Sequence, residues 1–420
     1  MLFIFPAWGV ISTQLAYLFG NKNVISGSRY LLILSLLMLL LVKVALSLNK
    51  VILNYGLVLL FFYLTYVLMH VLGDTEIILI IEGFRHELLF VIISFLLLLI
   101  VSGNPYDFSI LPYTNTVMVS VFVNGSIAVL FAIWQYVDVS ILELLYGMPL
   151  EDIGNISLAI GYRLTSIFAN PINFGAYMCM LFLVASYFYN KSALNVLLYM
   201  FVVLVALIMV VGSLSRLSLI AFVVIFILTY ALRASYITML FGFISIAILS
   251  VLVLEFVDIE LIVTRFGNIF EARTYLENAR VVNWITAFSS LSFLQYFWGR
   301  GIGASSPDSS IYQSTSAMPI ENGFLTIAYQ YGVVGLLLFL IVLFRFFIVG
   351  LTFKKYERAL YVFIISFVCF YIIMSMGNDF IRNSPFSLYF WFYYVYFELF
   401  LIKSRKDYVN NCNFHNRQAV

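Results

Sequence analysis

Long apolar runs separated by short polar stretches recur from one end of this chain to the other. A helix needs about 20 apolar residues to cross about 30 Å of hydrocarbon. The pattern predicts twelve such spans, at 1–19, 29–48, 51–73, 86–103, 116–137, 171–189, 193–212, 217–232, 236–256, 323–349, 359–377 and 386–402. Barrel strands are shorter and alternate in polarity, which these runs do not. Asn170-Pro171 marks the start of one span, since proline suits the first helical turn. Gly212-Ser213-Leu214-Ser215-Arg216 closes another span and opens the next in a very tight turn. The run from Met1 to Phe19 lacks a basic leader and a small-residue cleavage site, and reads as a retained span.

Composition agrees with the pattern. Of 420 residues, 64% are hydrophobic and 10% charged, with a mean hydropathy of +1.05. Soluble domains run at about 45–50% apolar and about 25% charged. The fold class predicted is therefore an all-α polytopic membrane protein. Cys179, Cys369 and Cys412 suggest no disulfide framework. His70, His86 and His415 are too scattered for a metal site. A Walker A sequence is absent, a Ser–His hydrolase is not supported, and neither a cofactor nor a nucleic-acid partner is expected.

Charge asymmetry orients the spans, because short cytoplasmic loops retain Lys and Arg. Lys354, Lys355 and Arg358 precede the penultimate span, and Lys403, Arg405 and Lys406 follow the last. Placing both groups inside puts both termini in the cytoplasm. The map then divides into an N-terminal bundle over 1–256, with an external segment at 138–170, a long external loop over 257–322 between spans 9 and 10, a C-terminal bundle over 323–402, and a cytoplasmic tail over 403–420. Short external loops fall at 74–85 and 378–385. Ile141 to Leu145 reads as the start of an interfacial amphipathic helix. The stretch 273–297 lacks Gly and Pro and reads as a helix, with Arg273, Arg280 and Trp284 along one stripe.

On this map Lys22 is the only external lysine, whereas Arg29, Arg85, Arg163, Arg216, Arg265, Arg273, Arg280, Arg300 and Arg382 are external. Pairing with nearby carboxylates or lipid headgroups accounts for such arginines. So does recognition of phosphate, which suits the planar guanidinium fork. For the cluster from 265 to 300 phosphate is favoured. Arg216 reads as a snorkelling anchor or a ligand contact, and Arg163 as a loop arginine or part of a polar mouth with Thr165 and Ser166. Glu321, beside Asn322 at the start of a span, reads as a helix cap or as a general base for a hydroxyl attacking an anomeric carbon. Arginines converging from separate loops would neutralise a diphosphate leaving group. Acidic residues deep within spans look scarce, which weakens an ion-coupled transporter.

The order Arg163-Leu164-Thr165-Ser166-Ile167-Phe168-Ala169-Asn170-Pro171, then Gly212 to Arg216, Trp298-Gly299-Arg300-Gly301-Ile302-Gly303, Glu321-Asn322-Gly323-Phe324 and Tyr331 to Gly335 resembles the bacterial O-antigen polymerase and ligase superfamily. The resemblance implies a glycosyltransferase of GT-C architecture in the bacterial inner membrane, with its active site periplasmic. It implies substrates linked to undecaprenyl diphosphate, inversion at the anomeric carbon, and no cofactor or metal. Arg163 and Arg216 would hold the diphosphate, with contributions from Arg265, Arg273, Arg280, Arg300 and Asn322. The ligases place a catalytic histidine before the asparagine near the end of the long loop. Glu321 stands there in this chain, which favours a polymerase. A repeat-unit flippase and a chain-length regulator are the implied partners. The alternatives are an O-antigen ligase acting on lipid A–core and a lipid-linked glycan transporter without chemistry.

Overall fold

With so few charges, the helices are arranged by apolar faces and by aromatic packing. The computed structural model describes residues 55–72, 76–103, 110–146, 163–168, 170–191, 193–233, 279–305, 317–383 and 385–418. Every regular element among them is helical. In chain order they are α1 Tyr55–Met69, α2 from Ile77–Gly83 through a wide π turn at Phe84–Leu88 into Leu89–Gly103, α3 Ile110–Val137, α4 Ile141–Tyr146, α5 Pro171–Asn190, α6 Val196–Gly212, α7 Arg216–Arg233, α8 Ala279–Ser289, α9 Phe293–Trp298, α10 Gly323–Phe353, α11 Arg358–Gly377 and α12 Phe386–Gln418. Among the described residues, six helices are long and apolar enough to cross a membrane, and three shorter apolar helices accompany them. The protein is a polytopic helical membrane protein.

These helices fall on nine of the predicted spans; those at 1–19, 29–48 and 236–256 lie outside the described residues. Three boundaries differ. The expected loop at 74–85 is helical from Ile77, because Ile77 to Glu82 continues the apolar run despite its charged neighbours. The expected helix over 273–297 is described from Ala279 and is interrupted between α8 and α9, where Ser292 caps the second piece. The last helix continues through the expected tail to Gln418.

The chain forms two units. The first contains α3 from Asn115, α4 to α7, and Val362–Met374 of α11. Its centre is α5, started by Asn170, whose Oδ1 accepts the N–H of Ile172 at 2.8 Å, with Pro171 in the first turn. From Phe174 to Tyr187 every residue of α5 is buried. Phe182 packs on Phe222 and Phe226 of α7 at ring separations of 5.1 and 5.7 Å. Helix α4 buries Ile141, Leu142, Leu145 and Tyr146 beside Phe131 and leaves Leu144 exposed, so its two faces differ.

The second unit contains α1, α2, α8 to α10, the ends of α11, and α12. Helix α10 has 31 residues and kinks at Gly332, which has a φ of 66°. Phe346 packs on Phe390, Tyr394 and Phe397 of α12, and Tyr63 stacks on Trp391 at 5.8 Å. Charge is also buried here, contrary to the expected scarcity. Glu398 is 1% exposed and accepts from Nε and Nη2 of Arg345 at 2.6 and 3.0 Å. The bidentate geometry satisfies both carboxylate oxygens.

Candidate functional site

In the first unit, two short connections meet. The N–H of Leu164 donates to the carbonyl of Gly212 at 3.0 Å, and Nε of Arg163 donates to the carbonyl of Ser213 at 3.2 Å. A side chain at Gly212 would run into Leu164, and one at Gly175 would sit 2.7 Å from the hydroxyls of Ser213 and Ser218. Both connections hold a non-glycine residue in the left-handed region, Ser166 at a φ of 51° and Leu214 at 49°. Such conformations cost of order 1–3 kcal/mol and persist where surrounding structure imposes them. Gln135, near the end of α3, imposes one. Its Oε1 accepts from the N–H groups of Thr165 and Ser166 at 3.0 and 2.9 Å, and its Nε2 donates to the carbonyl of Arg163 at 2.8 Å. Sequence reasoning missed Gln135; its signal was an amide within an apolar run.

Arg216 begins α7 directly after this turn. Ser215 and Ser218 bond to each other at 2.9 Å and secure the first turn of the helix. Three buried polar atoms of these segments have no partner among the described residues: Oγ1 of Thr165, Oδ1 of Asn173 and Nε of Arg216. Buried polar groups are nearly always satisfied, so such orphans mark a place completed by water or a ligand. The polar corner thus offers a guanidinium N–H and a hydroxyl, groups that donate to an anion.

In the second unit, Glu321 forms an ion pair with Nε of Arg280, and both side chains are about half exposed. Nη1 of Arg280 also reaches the carbonyl of Gly377 at 3.4 Å. Asn322, and not Glu321, caps α10: its Oδ1 accepts from the N–H of Leu325 at 3.0 Å, and its Nδ2 donates to the carbonyl of Met376 at 2.5 Å. Arg300 donates to the hydroxyls of Tyr329 and Ser290 at 2.7 and 3.3 Å. The glycines around it bring backbones together, since a Cβ at Gly299 would fall on Gln330 and one at Gly332 on Phe297.

Arg382 sits at the centre of a buried ionic cluster. It pairs with Asp379 and Glu87, and it donates to the carbonyl and hydroxyl of Ser305. Tyr331 donates its hydroxyl to the other oxygen of Glu87. Burial opposes the charge on Arg382, but Asp379 and Glu87 outweigh it, so its pKa is raised. Sequence reading placed Arg382 among the external arginines without assigning it a role. The structure makes it a strut that fixes the end of the 299–305 turn.

Arg163 and Arg216 therefore belong to the first unit, and Arg280, Arg300, Glu321 and Asn322 to the second. Arg265 and Arg273 lie outside the described residues. Among the described residues no group of three His, Cys, Asp or Glu is arranged to hold a metal.

The fold is that of a multi-pass membrane protein, and its polar corner leaves buried polar atoms at one helix start without a partner among the described residues. Residues 201–340, one third of the chain, match the family model for O-antigen ligase, which supports the O-antigen polymerase and ligase superfamily. The matched segment contains Arg216, Arg280, Arg300, Glu321 and Asn322, and lies C-terminal to Arg163. Its members are membrane enzymes that transfer glycans, and the match gives no support to the transporter alternative. No curated protein matches the chain.

Proposed function

We propose that this protein is an O-antigen polymerase, joining undecaprenyl-diphosphate-linked repeat units on the periplasmic side of the bacterial inner membrane. The observation that carries this reading is Arg216, fixed at the start of α7 with a buried Nε–H that no group among the described residues accepts. A diphosphate oxygen is a suitable acceptor, and a charge-assisted bond there strengthens as the leaving group gains charge.

In this reaction a hydroxyl oxygen of the acceptor sugar attacks the anomeric carbon from the face opposite the diphosphate. The new C–O bond forms as the bond to the diphosphate breaks, and undecaprenyl diphosphate leaves with the bonding pair. The hydroxyl proton passes to a carboxylate, for which Glu321 is the proposed acceptor. Arg163 and Arg216 hold the diphosphate, with Arg265, Arg273, Arg280, Arg300 and Asn322 as further substrate contacts. A flippase supplies the repeat units and a chain-length regulator limits the product.

Glu321 also favours a polymerase over a ligase, since the ligases carry histidine at this place in the motif. The test is purified protein in vesicles with a defined lipid-linked repeat unit and no nucleotide. Oligomers longer than one unit together with free undecaprenyl diphosphate are expected. Transfer solely to added lipid A–core would make the protein a ligase, and no transfer of either kind would end the enzymatic reading.

A further inference from the structure

We propose that α8 and α9 form an interfacial hairpin whose α9 lies within the membrane leaflet at the Gly323 end of α10. Helix α9 is short and almost wholly apolar, yet it buries none of its residues. Phe293 is 76% exposed, Leu294 67% and Trp298 55%, with Tyr296 and Phe297 also exposed. A cluster of large apolar side chains of this kind marks a contact with membrane or protein.

The way α9 is held separates its side chains from its anchorage. Ser292 and Gln295 form a reciprocal capping box at its start. Its C-terminal end is fixed by backbone: Gly299 and Gly332 both have positive φ and lie against opposing chain, and the N–H groups of Arg300 and Gly301 donate to Tyr329 and Gln330 at 3.0 and 2.9 Å. A ring nitrogen of His70 lies 2.5 Å from the carbonyl of Trp298. None of these bonds uses Phe293, Leu294 or Phe297, which remain available to an external phase, while Tyr296 turns its hydroxyl back to the carbonyl of Phe288 at 2.8 Å.

Depth and continuity identify that phase as lipid. Beyond the kink at Gly332, Val333–Phe353 continues for about 32 Å at 1.5 Å per residue, enough to cross the hydrocarbon. Gly332, and the α9 backbone against it, therefore sit at the hydrocarbon boundary. The exposed apolar surface continues on both neighbours, through Val333 and Leu337 of α10 and through Leu68 and Met69 of α1. Trp298 stacks on Tyr66 of α1 at 6.3 Å, joining those surfaces. Aromatic side chains at the boundary with an arginine at their edge, here Arg300, are the composition of an interfacial element. Ala287 of α8 and Leu291 just after it cluster with Ile320 and Tyr329, while Val282 and Ile285 of α8 stay exposed.

The test uses full-length protein in phosphatidylethanolamine–phosphatidylglycerol vesicles, with native cysteines replaced by serine and a nitroxide at Phe293→Cys or Leu294→Cys. The oxygen-to-nickel collision ratio should fall within about twofold of that at a lipid-facing control, Phe61→Cys, as insertion below the headgroups requires. A ratio typical of water would overturn the proposal. Protection from both probes would overturn it too, because a protein partner or second copy would then cover the face. A second readout avoids cysteine: the fluorescence lost in Trp298→Phe should be the part quenched by shallowly brominated lipid and spared by acrylamide. Quenching by acrylamide alone would refute immersion. The inference stands apart from the transferase reading, since neither measurement involves substrate.

Discussion

The N–H of Leu164 bonds to the carbonyl of Gly212 at 3.0 Å, and this bond brings the residues flanking Arg163 and Arg216 together across the first unit. It turns two connections distant in the sequence into one polar corner. The corner contains strained backbone and unpartnered polar atoms, a combination that accumulates where function has been placed ahead of stability.

Arg216→Ala should abolish polymer, by about 100-fold or more, without lowering the amount of folded protein. The buried Nε of Arg216 has no partner among the described residues, so truncation removes no contact with them at that atom. Arg216→Lys keeps the charge and loses the planar fork, and should retain a small fraction of activity. Glycan ladders with matched immunoblots check both; a normal ladder in Arg216→Ala would reduce this residue to a membrane anchor. The same ladder loss is expected for Arg163→Ala.

Arg382 should respond in the opposite way. It is 3% exposed and neutralises Asp379 and Glu87 while holding Ser305. Arg382→Met leaves two buried carboxylates without their cation, a change that costs about 3–5 kcal/mol. Reduced protein level and early thermal unfolding in detergent are expected, with activity lost only in proportion. Full stability of the variant would show that Arg382 is not the strut described here.

Much of the fold was legible because a bilayer imposes one rule along the chain. Twenty apolar residues make a span whatever their order, and Asn170-Pro171 and Gly212 to Arg216 carry local chemistry for a cap and a tight turn. What escaped was set by distance or by competition. Arg382 meets Glu87 across 295 positions, and no periodicity announces that pairing. The 273–297 stretch has helical composition throughout, but the Ser292–Gln295 capping box starts a separate helix at Phe293. Glu398 lies inside the apolar run 386–402, and its partner Arg345 stands 53 positions earlier on α10, a pairing that no local pattern announces. For the site, residue types pointed to Arg216 but not to Gln135, whose role is only to hold neighbouring backbone.

The Arg345–Glu398 pair predicts non-additive mutations. Glu398→Met and Arg345→Met should each destabilise the protein by about 3–5 kcal/mol, since each leaves the partner group buried and uncompensated. Arg345→Met combined with Glu398→Met should recover a large part of that loss, because an apolar pair needs no counter-ion. Thermal unfolding of the four proteins in one detergent gives the coupling directly. Strict additivity would mean that the two side chains act independently.

Glu321 and Arg280 give the sharpest separation of chemistry from stability. Their ion pair is about half exposed on both sides, so it is worth little more than about 1 kcal/mol after solvent screening. Asn322 already caps α10, which removes the structural reason for a carboxylate at position 321. Glu321→Gln should therefore leave thermal stability nearly unchanged. If the carboxylate accepts the proton of the attacking hydroxyl, the same variant should lose about 100-fold or more of polymerisation, the scale of a missing general base. Arg280→Ala gives the comparison: it breaks the ion pair and removes the proposed substrate contact while keeping the carboxylate, so its cost should fall on KM and that of Glu321→Gln on kcat. A larger loss of turnover in Glu321→Gln than in Arg280→Ala assigns proton transfer to Glu321. Equal and modest losses in both would leave the ion pair as a positioning contact alone.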